Sequence, residues 1–183
     1  MPSSSKAMTD RSLVRAEPPP GYTLRDACEA DLPLLGRLQN AAVPAPGAPA
    51  PPPVPLAALD LCRAAGSLWL AVDAEDHPVG YLVASESDGA MLILAFGVAH
   101  AHQRRGLGGA LIDLALDQAR WQFLPAVAVV LDAAEPAAGA LLARRGFVRL
   151  DEARAEPGLR RRLCVRRNES PPAGDPCIMA RLL

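Results

Sequence analysis

The residues best able to do chemistry sit in one short stretch, Gln103-Arg104-Arg105-Gly106-Leu107-Gly108-Gly109, within VAHAHQRRGLGGALIDLAL (Val98–Leu116). An apolar strand delivers the chain to this stretch, and a helix opens inside it. The glycines let the backbone turn tightly and bring several N–H groups up to a ligand with no Cβ in the way. A helix start adds roughly half a positive charge and donors without helical partners. Arg104 or Arg105 would add charge-assisted bonds. The chemistry that fits is the cradling of a pyrophosphate. Two better-known loops are excluded, since neither G-x-G-x-x-G nor G-x-x-x-x-G-K-[ST] occurs here. The plain alternative, glycines that only pack a helix against a sheet, stays open at this point.

The elements that must position this loop are legible around it. Tyr22–Arg25 reads as a short strand, with Asp31 placed to cap a helix carrying Leu34, Leu35 and Leu38. The prolines of Val43–Pro55 exclude a long helix there and make a surface loop, before a short helix over Pro55–Ala65. Ser67–Val72 and Val79–Ser85 form a hairpin. Met91–Ala99 is a near-continuous apolar run suited to a central strand buried on both faces, and Gly97 within it suggests a bulge or a close backbone approach. A helix follows from about Gly106 to Arg120, with Leu107, Ala110, Leu111, Leu114 and Ala115 on one stripe. Ala126–Leu131 is another buried strand. Pro136 opens a helix running to about Arg145, closed by Gly146. Phe147–Leu150 and Cys177–Leu183 are the last strands. The segment between them is either a Pro-started helix or an irregular loop. The order predicts one α/β domain with a mixed (α+β) sheet over residues 21–183, behind a disordered leader of residues 1–20.

Composition narrows the class. The 183 residues are 50% hydrophobic but only 4% aromatic, so Ala, Leu and Val must build the core, and the net charge of −1 argues against nucleic-acid or membrane-surface binding. Charge is uneven, however, with nine arginines against three acids between Arg144 and Arg167. Cys28, Cys62, Cys164 and Cys177 show no C-x-x-C pair or zinc spacing, so no metal is expected. No run of about 18 apolar residues suggests a membrane span, and the chain reads as cytoplasmic. A homodimer stays open.

Q-x-x-G-x-G after a buried strand resembles the acetyl-CoA motif of the GNAT N-acetyltransferase superfamily. Tyr22–Asp31 looks like that family's opening strand and helix, and Pro78-Val79-Gly80-Tyr81 resembles its central hairpin. Ala140–Phe147 (ALLARRGF) is similar to its helix-to-strand element. The resemblance implies a mostly antiparallel sheet, splayed at the CoA strand, with helices on both faces. It implies pantetheine in the splay beside Gly97 and Val98, and pyrophosphate on Gln103, Arg104, Arg105, Gly106, Leu107, Gly108 and Gly109. The implied reaction is direct acetyl transfer from acetyl-CoA to an amine, with a backbone N–H near Val98 stabilising the oxyanion.

Two positions depart from the family. The tyrosine that often protonates the leaving thiolate is Leu142 here, and a frequent asparagine is Glu135. Neither Tyr22 nor Tyr81 falls at the acid position. Glu86 and Asp88, at the turn before the CoA strand, are the candidate bases, weighed against a solvated hairpin turn. His100 and His102 titrate in a useful range but fit plain loop residues better. Cys164 reads as a small apolar filler, and Trp69 and Trp121 as packing residues. The arginines Arg160–Arg162 and Arg166–Arg167 are expected to border the acceptor side or to form a solvated helix face.

Overall fold

The computed structural model describes residues 17–41, 53–131, 136–169 and 176–183. Most of the leader, the proline-rich stretch up to residue 52, Glu135, and the side chains of Arg166 and Arg167 lie outside the described residues. The elements are β1 (Thr23–Asp26), α1 (Leu32–Ala41), α2 (Leu56–Ala64), β2 (Leu68–Val72), β3 (Pro78–Ser87), β4 (Ala90–Val98), α3 (Leu107–Trp121), β5 (Ala126–Leu131), α4 (Pro136–Ala143), β6 (Val148–Leu150), α5 (Pro157–Glu169) and β7 (Cys177–Leu182). Seven strands make one sheet in the order β1-β2-β3-β4-β5-β7-β6. Every neighbouring pair is antiparallel except β4 with β5.

Strand alternation sorts the core onto two faces. Trp69, Ala71, Leu82, Ile93, Val127 and Val129 pack against Leu111, Ile112 and Ala115 of α3 and Leu142 of α4. On the opposite face Leu68, Leu70, Tyr81 and Val83 meet Leu35 and Leu38 of α1 and Leu59 of α2. Leu92, Ala128, Val130 and Ile178 meet Leu159 and Leu163 of α5, and Leu94 touches both groups. Helices therefore cover both faces of the sheet, as the family pattern implied. Asp31 does not cap α1 as expected. Its buried carboxylate turns back to the Cys28 N–H at 2.7 Å and to Arg25 at 2.7 and 3.0 Å. Burial pushes that carboxyl up, but the Arg25 and Cys28 bonds outweigh it and hold it at about 2.

The segment left open before β7 contains a helix. Pro157 suits its first turn, and Leu159 and Leu163, one turn apart, are its buried contacts, contributing roughly 3–6 kcal/mol together. The Gly158 N–H donates to the Asp88 carboxylate at 2.5 Å, tying the start of α5 to the β3–β4 turn.

The central strand departs from the expectation of burial on both faces. Met91–Ile93 are buried, whereas Leu94–Val98 are half-exposed. Val83 opposes Ala95 but Ala84 opposes Ile93, so Leu94 is an extra residue, a bulge three positions before Gly97. A bulge bends the strand that carries it. Pairing of β4 with β5 stops at Ile93–Val129, and the two strands diverge beyond it.

Candidate functional site

The divergence leaves a gap along one side of Leu94–Val98, roughly 16 Å of strand. Strand geometry decides which backbone groups face it. The Ala99 N–H donates to Val79 O at 2.8 Å on the β3 side. Alternation in an antiparallel pair then directs the N–H groups of Val98 and Phe96 into the gap and those of Gly97 toward Tyr81. Of the two expected residues, Val98 has its backbone N–H on the gap side and Gly97 has its N–H on the β3 side. Phe96 shares the orientation of Val98; the sequence did not single it out, because the bulge that sets the parity is invisible in an apolar run. Gln103 Nε2 donates to Val98 O at 3.1 Å, satisfying that carbonyl and leaving the N–H.

Past Val98 the chain makes one 3-10 turn, His100–His102, then Gln103–Gly106, and enters α3. Arg104 has φ +59° and Gly106 φ +91°. The second is a conformation glycine adopts without strain. Among the described residues nothing accepts the N–H groups of Arg104, Arg105, Gly106, Leu107, Gly108 and Gly109; the first bond at the helix start runs from Ala110 N to Gly106 O at 3.0 Å. Six successive donors without protein acceptors at a helix N-terminus make an anion site.

The loop's side chains divide their work. Arg104 is exposed, with no partner among the described residues. Arg105 is engaged, donating to Tyr22 Oη at 2.8 Å and to Ala101 O at 3.3 Å. Gly109 is small for packing: a Cβ there would run into the Arg145 guanidinium. Arg145 crosses the helix start to reach Gly109 O at 3.1 Å and both oxygens of Asp113 at 3.0 and 3.2 Å. A Cβ at Gly108 would lie 3.2 Å from Leu141 Cδ2. The packing reading thus holds for Gly109, in part for Gly108, and not for Gly106.

A splayed parallel pair feeding a donor-rich loop agrees with the family comparison, in which residues 35–147 match the model of the acetyltransferase (GNAT) family. The chain belongs to the GNAT acetyltransferase family. Solved GNAT-like structures share the fold across nearly the whole chain. Ard1 from Thermoplasma volcanium is 22% identical, with 89% of this chain and 98% of that one covered and a TM-score of 0.69. The ribosomal-protein-S18-alanine N-acetyltransferase from Escherichia coli is 16% identical, with 88% and 93% covered and a TM-score of 0.65. Naa50 from Arabidopsis thaliana, in complex with the bisubstrate analogue CoA-Ac-MVNAL, is 16% identical, with 88% and 98% covered and a TM-score of 0.66. No helix among the described residues is long and apolar enough to cross a membrane.

The acid–base candidates of this GNAT chain fare differently from its loop. Leu142 is fully buried in the α3–α4 core, 0% exposed, and offers no proton. Glu86 opposes Met91, six residues and roughly 20 Å of strand before Gly97. It continues the Leu82, Ala84 alternation toward the α3 face. Asp88 sits in the turn, its carboxylate held by Gly158 N–H. The structure brings neither to the gap, because β4 runs its length between that turn and Val98. His100 is exposed and His102 bonds Tyr22. Cys164 is exposed, so it is not an apolar filler. Trp69 is core, whereas Trp121 is exposed at the end of α3 and packs no lid. Arg162 reaches Leu94 O at 3.5 Å, which places α5 against the bulge on the face opposite α3. Among the described residues, the one group spaced to hold a metal is Asp73, Glu75 and His77, whose bonds are those of a hairpin turn.

Proposed function

We propose that this chain is an N-acetyltransferase that moves the acetyl group of acetyl-CoA directly to an amine. The carrying observation is the run of N–H donors from Arg104 to Gly109, without acceptors among the described residues, at the mouth of the β4–β5 gap. In this reading the pyrophosphate takes those donors together with the Arg104 guanidinium. The pantetheine lies along Phe96–Val98, completing the edge of β4 that β5 leaves unpaired. A neutral amine attacks the thioester carbonyl carbon; the Val98 N–H stabilises the oxyanion. Collapse forms the amide and breaks the C–S bond. With Leu142 apolar, and Glu86 and Asp88 away from the gap, the amine's proton leaves to water and the thiolate regains one from water. The acceptor approaches over the α5 face, where Arg160, Arg161 and Arg162 favour amines that also carry a carboxylate.

One observation supports a second reading, a catalytically silent acyl-CoA sensor: the residue at the usual acid position is a core leucine. Thiol release from acetyl-CoA against a pooled library of amines and peptides, acidic ones included, separates the two. Turnover with any acceptor supports the enzyme. CoA binding with no turnover across the library selects the sensor, and an absence of CoA binding overturns both.

A further inference from the structure

The Arg104–Gly109 loop is bonded to a residue 83 positions away from Arg105 in sequence. Pro19-Pro20-Gly21-Tyr22 forms a turn closed by Tyr22 N to Pro19 O at 3.1 Å, with Gly21 at φ +83°. Proline second and glycine third at positive φ is the pattern of a type II turn. It sets Tyr22 at the same end of the sheet as Val98, since Thr23 opposes Val72 and Val72 opposes Pro78. There the Tyr22 hydroxyl lies 3.0 Å from His102 Nδ1, with the two rings edge-on at 5.8 Å. Its oxygen accepts from Arg105 Nη1 at 2.8 Å, which leaves its proton to bond the imidazole. Arg105 Nη2 in turn closes on Ala101 O at 3.3 Å. One hydroxyl therefore ties together the 3-10 turn before the loop and the arginine inside it.

We infer that Tyr22 is a positioning residue for the phosphate site: through Arg105 and His102 it holds the loop with its free N–H groups outward. The inference rests on the proposed CoA reading for its ligand but not for its geometry. Without the hydroxyl, the Arg105 guanidinium loses its partner on β1's flank. A loop with two residues at positive φ then samples other conformations, and binding must reorder it. Tyr22→Phe removes that oxygen and keeps the ring.

Two measurements decide it. In the free protein, backbone amide order parameters at Arg104, Arg105 and Gly106 should fall from the rigid range, near 0.85, toward about 0.6 in Tyr22→Phe, with the core of α3 unchanged. In calorimetry with CoA as the probe, Tyr22→Phe should weaken binding about three- to tenfold. In an Arg105→Gln background the same change should cost less than about twofold, because the relay is already broken. Unchanged order parameters overturn the inference, as does a full Tyr22→Phe loss that persists in Arg105→Gln. A wild-type protein that binds no CoA overturns the proposed function instead, and the order parameters still decide the latch.

Discussion

Arg104 is the residue at which stability and binding should move in opposite directions. Its side chain has no hydrogen bond or ion pair among the described residues, and its backbone sits at φ +59°. An L-residue in that region costs about 1–2 kcal/mol. Arg104→Gly relieves this, while glycine's greater freedom in the unfolded chain takes back about 0.5–1 kcal/mol. The variant should therefore be unchanged to about 1.5 kcal/mol more stable, a melting-temperature rise of at most about 6 °C. Its loss is a charge-assisted phosphate bond of about 1.5–3 kcal/mol, so the Kd for CoA should rise roughly ten- to a hundredfold. Arg104→Asn separates lost charge from a loosened loop, because asparagine tolerates this conformation without glycine's freedom. Calorimetric titration with CoA at two ionic strengths, beside thermal melts, reads both quantities. The wild type should lose affinity with salt more steeply than either variant. If both variants bind CoA within twofold of the wild type, Arg104 is not a phosphate ligand.

Gly108→Asp should lower CoA affinity at least about tenfold while keeping the fold, since an acid suits the first turn of a helix. Gly108→Ala, which meets the movable Leu141 methyl at 3.2 Å and Val98 Cγ2 at 3.9 Å, should stay within about threefold; equal losses would assign Gly108 to packing alone. The Asp31 carboxyl, held at about 2 against a usual 3.8, is depressed by folding. It should contribute about 2 kcal/mol above pH 4, lost as the pH falls from about 4 to 2. Denaturant unfolding of wild type and Asp31→Asn across that window should show the stability gap closing, and a gap independent of pH would refute the ion-pair account. Leu142→Ala should cost about 2–5 kcal/mol of unfolding free energy with CoA affinity within about threefold. An unchanged melt would mean that the side chain is not core.

The sequence by itself determined most of the element order and the location of the glycine-rich loop that opens α3. Local signals carry both: the stripe from Leu107 to Ala115, proline at helix starts, and the glycines of Gln103–Gly109 act within a few residues of where they stand. Even α5 had its proline start, but nothing local separated a Pro-started helix from an irregular loop over that stretch. Only the tertiary structure decided what depends on pairing across the sheet. An apolar run has no mark for an extra residue, so the Leu94 bulge, the end of β4–β5 pairing, and the exchange of Gly97 for Phe96 at the gap appear once β3 is laid alongside. Asp88 looked like a free turn acid because its partner, the Gly158 N–H, lies 70 residues away. Tyr22 looked like an ordinary strand residue for the same reason. A hydrogen bond between distant segments leaves no periodicity in either one, and it is these bonds that settle which side chains serve the site and which hold the fold.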